Sequence, residues 1–317
     1  MKAVFLDYAT MGPGLDLEPM RRVLPDLEIF GATDDSQIGE RIRDAEFVFA
    51  NKFRLTPELL GYAAKLRFIG LTATGTDNVD LEAAQQHDIA VCNIRAYCTQ
   101  SVVEHVFGVM LMLTHSLGRY DKSVRAGEWQ KADDFCMLTH PVRELSAMTL
   151  GIVGYGELGQ GVARIAKAFG MQVLVSVRPG SSEQGDDRVP FKRVLEQADA
   201  ISLHCPLNEN TYHLFGADEF HQMKRGSFLI NTARGALIDS AALVDALQIG
   251  QLAGAGIDVL AEEPPVHGDP VLDYAGDNLV ITPHIAWATN EARQNAIDEL
   301  VANVEAFISG KERSRVV

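Results

Sequence analysis

An α/β chain built on two doubly wound parallel sheets is what this sequence predicts, and three observations predict it. Short β-branched or aromatic runs alternate with helical stretches throughout, the pattern of parallel strands joined by helical crossovers. These runs fall into two sets, the second opening near Leu150 on a glycine-rich turn. A last helical stretch, roughly Asn290 to Ile308, has no strand of its own and is expected to return to the first set, which makes the second set an insertion.

In the first set, KAVFLD, LEIF, FVFA, LRFIGLTA and IAVCN read as buried strands, ending near Asn93. Ser101 to Trp129 then repeats apolar residues at intervals of three and four, which predicts one long helix leading toward the glycine-rich turn. In the second set the strands are TLGIVG, MQVLVSV, ADAISLHC, GSFLINT, AGAGIDV and NLVITP. The expected domains are residues 1–98 with 289–317, and the inserted 99–288.

At 317 residues, 47% apolar and 22% charged, the chain has the composition of a globular protein with substantial cores. A formal charge of −15, with no local run of Lys or Arg, opposes binding to nucleic acid or to an anionic membrane surface. Cys92, Cys98, Cys136 and Cys205 form no CxxC pair and no short Cys/His spacing, so no metal site is signalled and reduced thiols in cytoplasm are expected. The opening MKAVFLDYATMG is broken by Asp7 before it reaches the length of a signal-peptide apolar region, and no apolar run approaches a membrane span.

The segment GIVGYGELGQG lies between a strand and a helix, and a second strand follows, which is the context that gives a GxGxxG pattern meaning as a dinucleotide site of Rossmann type. Gly154 permits the tight turn, Gly156 lets a pyrophosphate approach the backbone, and Gly159 lets the new helix pack on the strand. Amides near Glu157 and Leu158 would then point at the phosphates, where the helix dipole favours negative charge. An acid about twenty residues on would select the unphosphorylated ribose, and here Val177 occupies that place. Ser176 and Arg178 offer a hydroxyl and a guanidinium instead, which favours NADP over NAD. The alternative is that Arg178 is a solvated arginine before a turn at Pro179-Gly180.

Three later stretches, LINTARGALID, AGIDVLAEEPP and VITPHIAWAT, place ionisable residues at strand ends, where ligands of open α/β sheets bind. With the glycine fingerprint, these segments resemble the D-2-hydroxyacid dehydrogenase family over essentially the whole chain. The resemblance implies a Rossmann-type dinucleotide domain inserted into a flavodoxin-like substrate domain. It also implies a catalytic set of Arg234, Glu263 and His284, and cofactor contacts at Pro206, Thr232, Ala233 and Asp258. Asp258 could otherwise cap a turn, and Glu262 is the rival of Glu263. The residue types suit the chemistry on their own account. Reducing a 2-keto acid needs a cation for the carboxylate, which the planar fork of Arg234 supplies, and a proton donor near neutrality, which His284 supplies. Glu263 would orient the imidazole and favour its charged form.

On the substrate side, GLTATGTDNVD resembles the family's carboxylate-binding loop, which assigns the amides of Thr74 and Gly75. The pair Asn51-Lys52, the phrase PHIAWA and the segment DFCMLTHPVREL resemble the branch of glycerate dehydrogenases, also called hydroxypyruvate reductases. Lys52 joins the substrate side on that basis, as does Trp287, which could also pack at a domain or subunit boundary. The reading is a cytoplasmic homodimer that reduces hydroxypyruvate or glyoxylate with NAD(P)H. Dehydrogenation of D-3-phosphoglycerate or D-lactate, and a dinucleotide-sensing corepressor-like binding protein, are the alternatives.

Overall fold

The computed structural model describes residues 1–76, 78–178 and 187–317, and the turn expected at Pro179-Gly180 lies outside them. Two compact units divide the chain, Met1–Cys98 with Ala288–Val317, and Thr99–Trp287. In chain order the first stretch contains β1 (Lys2–Phe5), α1 (Glu18–Val23), β2 (Asp26–Ile29), α2 (Asp35–Ile42) and β3 (Phe47–Ala50). It continues with α3 (Pro57–Tyr62), β4 (Phe68–Leu71), α4 (Leu81–Gln86) and β5 (Ala90–Cys92). The second unit opens with α5 (Thr99–Thr114), α6 (Leu117–Arg125), β6 (Thr149–Val153), α7 (Glu157–Ala168) and β7 (Gln172–Ser176). It goes on through β8 (Arg188–Val189), α8 (Phe191–Gln197), β9 (Ala200–Leu203), α9 (Ala217–Gln222) and β10 (Ser227–Asn231). It closes with α10 (Ser240–Gln248), β11 (Leu252–Ile257), α11 (Pro270–Asp273) and β12 (Leu279–Ile281), and α12 (Asn290–Ile308) belongs to the first unit.

The first unit holds a five-stranded sheet in the order β2-β1-β3-β4-β5, all pairs parallel, which is the flavodoxin-like order. Strands β3 and β4 are buried at every position, because helices cover both faces of a parallel sheet. Phe307 of α12 packs its ring 5.1 Å from that of Phe68, and Asn303 donates to the carbonyl of Asn93 at 2.9 Å. The last helix therefore completes this core.

The second unit holds a seven-stranded parallel sheet in the order β12-β11-β10-β9-β6-β7-β8, the Rossmann order extended by a further strand. Asp199 ties its strands together. Its buried carboxylate accepts from the Thr149 amide at 2.9 Å and meets Arg143 at 2.9 Å and Lys224 at 2.8 Å. Burial pushes this carboxyl up, but the two cations and the amide outweigh burial and hold it below the ordinary value.

The single helix expected over Ser101 to Trp129 is corrected to two, α5 and α6, bent by 56°. Ser116 takes a left-handed conformation at φ 51, its hydroxyl donates to the carbonyl of Pro141, and Arg143 donates to the carbonyl of Thr114. A residue far along the chain thus takes over the Thr114 carbonyl, which a continuing helix would use. The two-residue strand β8 was also too short to read from periodicity. Among the described residues, no single helix is long and apolar enough to cross a membrane.

Candidate active site

Strand β6 ends in the glycine turn, and each glycine there answers a different requirement. Gly154 has φ +95, and an added Cβ would stand 2.4 Å from the carbonyl carbon of His204 and from the amide of Cys205. A Cβ at Gly159 would stand 2.1 Å from the carbonyl oxygen of Gly154. Gly156 differs, with φ −78 and nothing within 4 Å of an added Cβ, so the fold does not require its bare backbone. Helix α7 starts there without a side-chain cap, whereas Thr56, Asp80, Asp239 and Thr289 cap α3, α4, α10 and α12. The amides of Glu157, Leu158 and Gly159 therefore lie at an uncapped positive helix end. The Glu157 carboxylate accepts from the hydroxyl of Thr99. Beside the turn, burial pulls the His204 imidazole down to about 4, so it is neutral near pH 7.

At the end of β7, Ser176 is buried and its hydroxyl donates to the carbonyl of Val177 at 2.9 Å, while Arg178 is exposed. Of the two groups that the sequence offered to a 2′-phosphate, the guanidinium alone is at the surface. Pro206 is exposed just past β9. Past β10, Thr232 and Ala233 are half-buried, and the Ala233 amide donates to Asn231 at 3.0 Å.

The fully buried Asn231 also donates to the carbonyl of Arg234 at 2.8 Å, which shapes the turn carrying that arginine. Arg234 is exposed, with its guanidinium donating to the carbonyl of Ala233 at 2.7 Å. A Cβ at Gly235 would stand 1.9 Å from the carbonyl carbon of Leu260, so glycine alone lets this turn lie against the chain that leads to Glu263. The Leu260 amide in turn donates to Oε1 of Glu263 at 2.9 Å.

Glu263 Oε2 lies 2.6 Å from His284 Nδ1, a charge-assisted contact between residues that are half-buried or exposed at the ends of two neighbouring strands. With Nδ1 so engaged, Nε2 is the nitrogen left to exchange a proton. Below the histidine lies Asp258, 3% exposed. Its Oδ1 accepts from the Thr282 hydroxyl at 2.5 Å and the Ile285 amide at 2.9 Å, and its Oδ2 accepts from the Ala286 amide at 2.9 Å. The Trp287 indole donates to the carbonyl of His284 at 3.0 Å. Arg234, Glu263, Asp258, His284 and Trp287 all lie in the second unit.

Lys52, Thr74 and Gly75 belong to the first unit. Lys52 is exposed and its amide donates to Asp7 at 2.8 Å. Both oxygens of Asp7 accept from the Asn51 amide at 3.0 Å. Thr74 is exposed, donates its hydroxyl to the carbonyl of Ile94 at 3.0 Å, and accepts at its own carbonyl from Asn93 at 2.7 Å; Gly75 is half-buried. Asp7 and Asn231 were missed in the sequence, where the one signal was a lone polar residue closing an apolar strand. Among the described residues no group of three or more His, Cys, Asp or Glu side chains could hold a metal ion. Cys92, Cys136 and Cys205 are in no disulfide, and burial pushes the Cys92 and Cys205 thiols up to about 11.

A family profile described as "D-isomer specific 2-hydroxyacid dehydrogenase, NAD binding domain" matches residues 107–286. The glycerate dehydrogenase of Methylorubrum extorquens is 44% identical over 88% of each chain, and the hydroxypyruvate reductase of Blautia hydrogenotrophica is 36% identical over 98% of each. Among solved structures, an acyclic imino acid reductase in complex with NADPH and D-Arg superposes over 100% of both chains, with a TM-score of 0.86 at 27% identity. The chain belongs to the D-isomer specific 2-hydroxyacid dehydrogenase family, and it is an oxidoreductase with a nicotinamide-dinucleotide domain.

The glycine turn yields a paired prediction. Gly156→Ala is expected to leave the melting temperature within a few degrees of wild type but to weaken dinucleotide binding at least tenfold, measured by fluorescence titration, because its side chain would enter open space where the sequence pattern expects the pyrophosphate. Gly154→Ala, strained in backbone and packing, lowers the melting temperature itself. Unaltered dinucleotide affinity in Gly156→Ala would refute this account of the turn.

Proposed function

We propose that the protein reduces a small 2-keto acid, hydroxypyruvate or glyoxylate, to the D-2-hydroxy acid. The 2.6 Å contact between His284 Nδ1 and Glu263 Oε2 carries this reading, since it leaves an oriented imidazole with one nitrogen available. When bound, a reduced nicotinamide supplies the hydride to C2 of the acid. The proton for the carbonyl oxygen comes from His284 Nε2, and Arg234 holds the carboxylate and polarises the adjacent carbonyl. Glu263 orients the ring. Cofactor contacts are assigned to Gly154, Gly156, Gly159, the amides of Glu157 and Leu158, and Pro206, Thr232, Ala233 and Asp258. Lys52, the amides of Thr74 and Gly75, and Trp287 are assigned to the acid. The names of the relatives favour small hydroxy or oxo acids.

NADP is proposed as the preferred cofactor, on the exposed Arg178 and on Val177 in the place of an acid. Oxidation of NADPH and of NADH is to be followed against hydroxypyruvate, glyoxylate, pyruvate and phosphohydroxypyruvate. Hydroxypyruvate or glyoxylate is expected to rank first, and a first rank for either of the others overturns the substrate assignment. Arg178→Ala is expected to cost NADPH use about 1.5–3 kcal/mol in kcat/KM and to leave NADH nearly unchanged. Equal effects on both cofactors would remove Arg178 from the phosphate.

A cytoplasmic homodimer is proposed as well. Cys92, Cys136 and Cys205, which form no disulfide, accord with a reducing compartment. Phe135 and Leu138, 89% and 84% exposed, are joined by exposed Trp129 and Val142 within residues 129–142, apolar side chains of the kind that subunit contacts cover. Sedimentation of the full chain tests the dimer, and a monomer at micromolar concentration refutes it.

For the acid, His284→Ala is expected to lower turnover by about 10²–10⁴ with cofactor binding retained. Reduction needs the imidazolium and oxidation the neutral ring, so reduction should fade as pH rises and oxidation as pH falls. Parallel limbs in the two directions, or wild-type turnover in His284→Ala, would exclude His284 as the proton carrier.

A further inference from the structure

His284 is strained. Its φ of 56 lies in the left-handed region, which is unfavourable for a residue bearing a side chain and persists where the surroundings over-determine it. Asp258 is one part of those surroundings. The other is a helix face that no catalytic assignment uses. Ser101 and His105 stand four residues apart on α5 and so share one face of it. The Ser101 hydroxyl donates to the carbonyl of Ala286 at 2.6 Å, and His105 Nε2 lies 3.1 Å from the Thr282 hydroxyl oxygen. These two contacts bracket His284 on either side in sequence.

The hydrogen count fixes the direction of the second contact. The Thr282 hydroxyl has one proton, and it goes to Asp258 Oδ1 at 2.5 Å. Thr282 can then only accept from His105, so His105 carries its proton on Nε2. The donors run from His105 through Thr282 to Asp258, which also accepts from the amides of Ile285 and Ala286. His105 also lies 3.8 Å from Asp258 Oδ1, close enough to add an opposite charge whenever it is protonated.

We infer that the Ser101/His105 face of α5 is the platform that positions the turn bearing His284, with His105 as a positioning residue acting through Thr282 and Asp258. Its consequence for catalysis rests on the proposed role of His284, but its consequence for the turn's position does not. Trp287 separates the two, because its indole is bonded to the carbonyl of His284 and the chain has only one other tryptophan, Trp129. In a Trp129→Phe parent, Trp287 emission reports the turn without reference to chemistry.

The test compares His105→Phe, which fills the space without a donor, with His105→Gln, whose amide keeps a donor near the Nε2 position. Thr282→Val, which deletes the linking hydroxyl at constant shape, stands in if the Phe variant fails to fold. His105→Phe and Thr282→Val are expected to shift Trp287 emission and to lower kcat roughly 10–100-fold relative to the parent, as displacement of a reacting group does, and His105→Gln is expected to recover both. Parental emission in His105→Phe and Thr282→Val overturns the platform. An equal emission shift in His105→Gln overturns the hydrogen-bonded linkage. A shifted turn with parental kcat upholds the platform and counts instead against His284 as the acid.

Discussion

A histidine held at positive φ is the constraint on which the turn after β12 depends. The strain at His284 has to be met by its neighbours, and the buried carboxylate of Asp258 meets it by taking the Ile285 and Ala286 amides and the Thr282 hydroxyl. The dependence is mutual. A carboxylate that is 3% exposed would be costly without donors, and the turn it restrains supplies them. Asp258 and the turn are therefore one folding unit, and substituting either exposes the cost of the other. The amide of His284 itself closes the arrangement by donating to the carbonyl of Asp258 at 2.7 Å.

Strand order turns this local arrangement into a site. Because every strand of the seven-stranded sheet is parallel, the ends of β6, β10, β11 and β12 face the same way, and the turns after them carry Gly154, Arg234, Asp258 with Glu263, and His284. Residues 21 apart in sequence then meet at 2.6 Å. Two glycines make the neighbouring turns fit. Gly154 admits the chain at His204 and Cys205, and Gly235 admits the chain at Leu260, at separations that leave no room for a Cβ. The Gly235 approach to Leu260 brings the turn of Arg234 against the chain that leads to Glu263.

The alternation of apolar runs made the strands legible, because a strand covered on both faces by helices has to be apolar along its length, as FVFA and SFLIN are. The last helix was legible for a related reason: with no strand of its own, its apolar face needed a core built earlier in the chain. The bend at Ser116 was not legible, since its causes, Pro141 and Arg143, lie outside the helix. Within the site, motif context pointed to His284 and Glu263, but nothing local in the sequence ties His105 or Ser101 to a turn some 180 residues away. Such contacts exist only once the sheet is formed. At Ser176 the sequence offered the hydroxyl to a cofactor but could not show that it also donates to the neighbouring Val177 carbonyl.

The acidity of the chain bears on how such a site attracts its ligands. A dinucleotide and a keto acid are both anions, and a formal charge of −15 repels them at long range. That repulsion is screened beyond about 10 Å at ordinary ionic strength, so the attraction has to come from groups nearer than that. The candidates here are few and geometrically specific: the uncapped end of α7, whose amides attract as dipoles, and the exposed guanidinium groups of Arg178 and Arg234. Dipoles and planar forks reward orientation as much as charge. A site assembled this way on an acidic protein discriminates among anions by shape, since an anion that cannot align with those donors meets only the repulsive field.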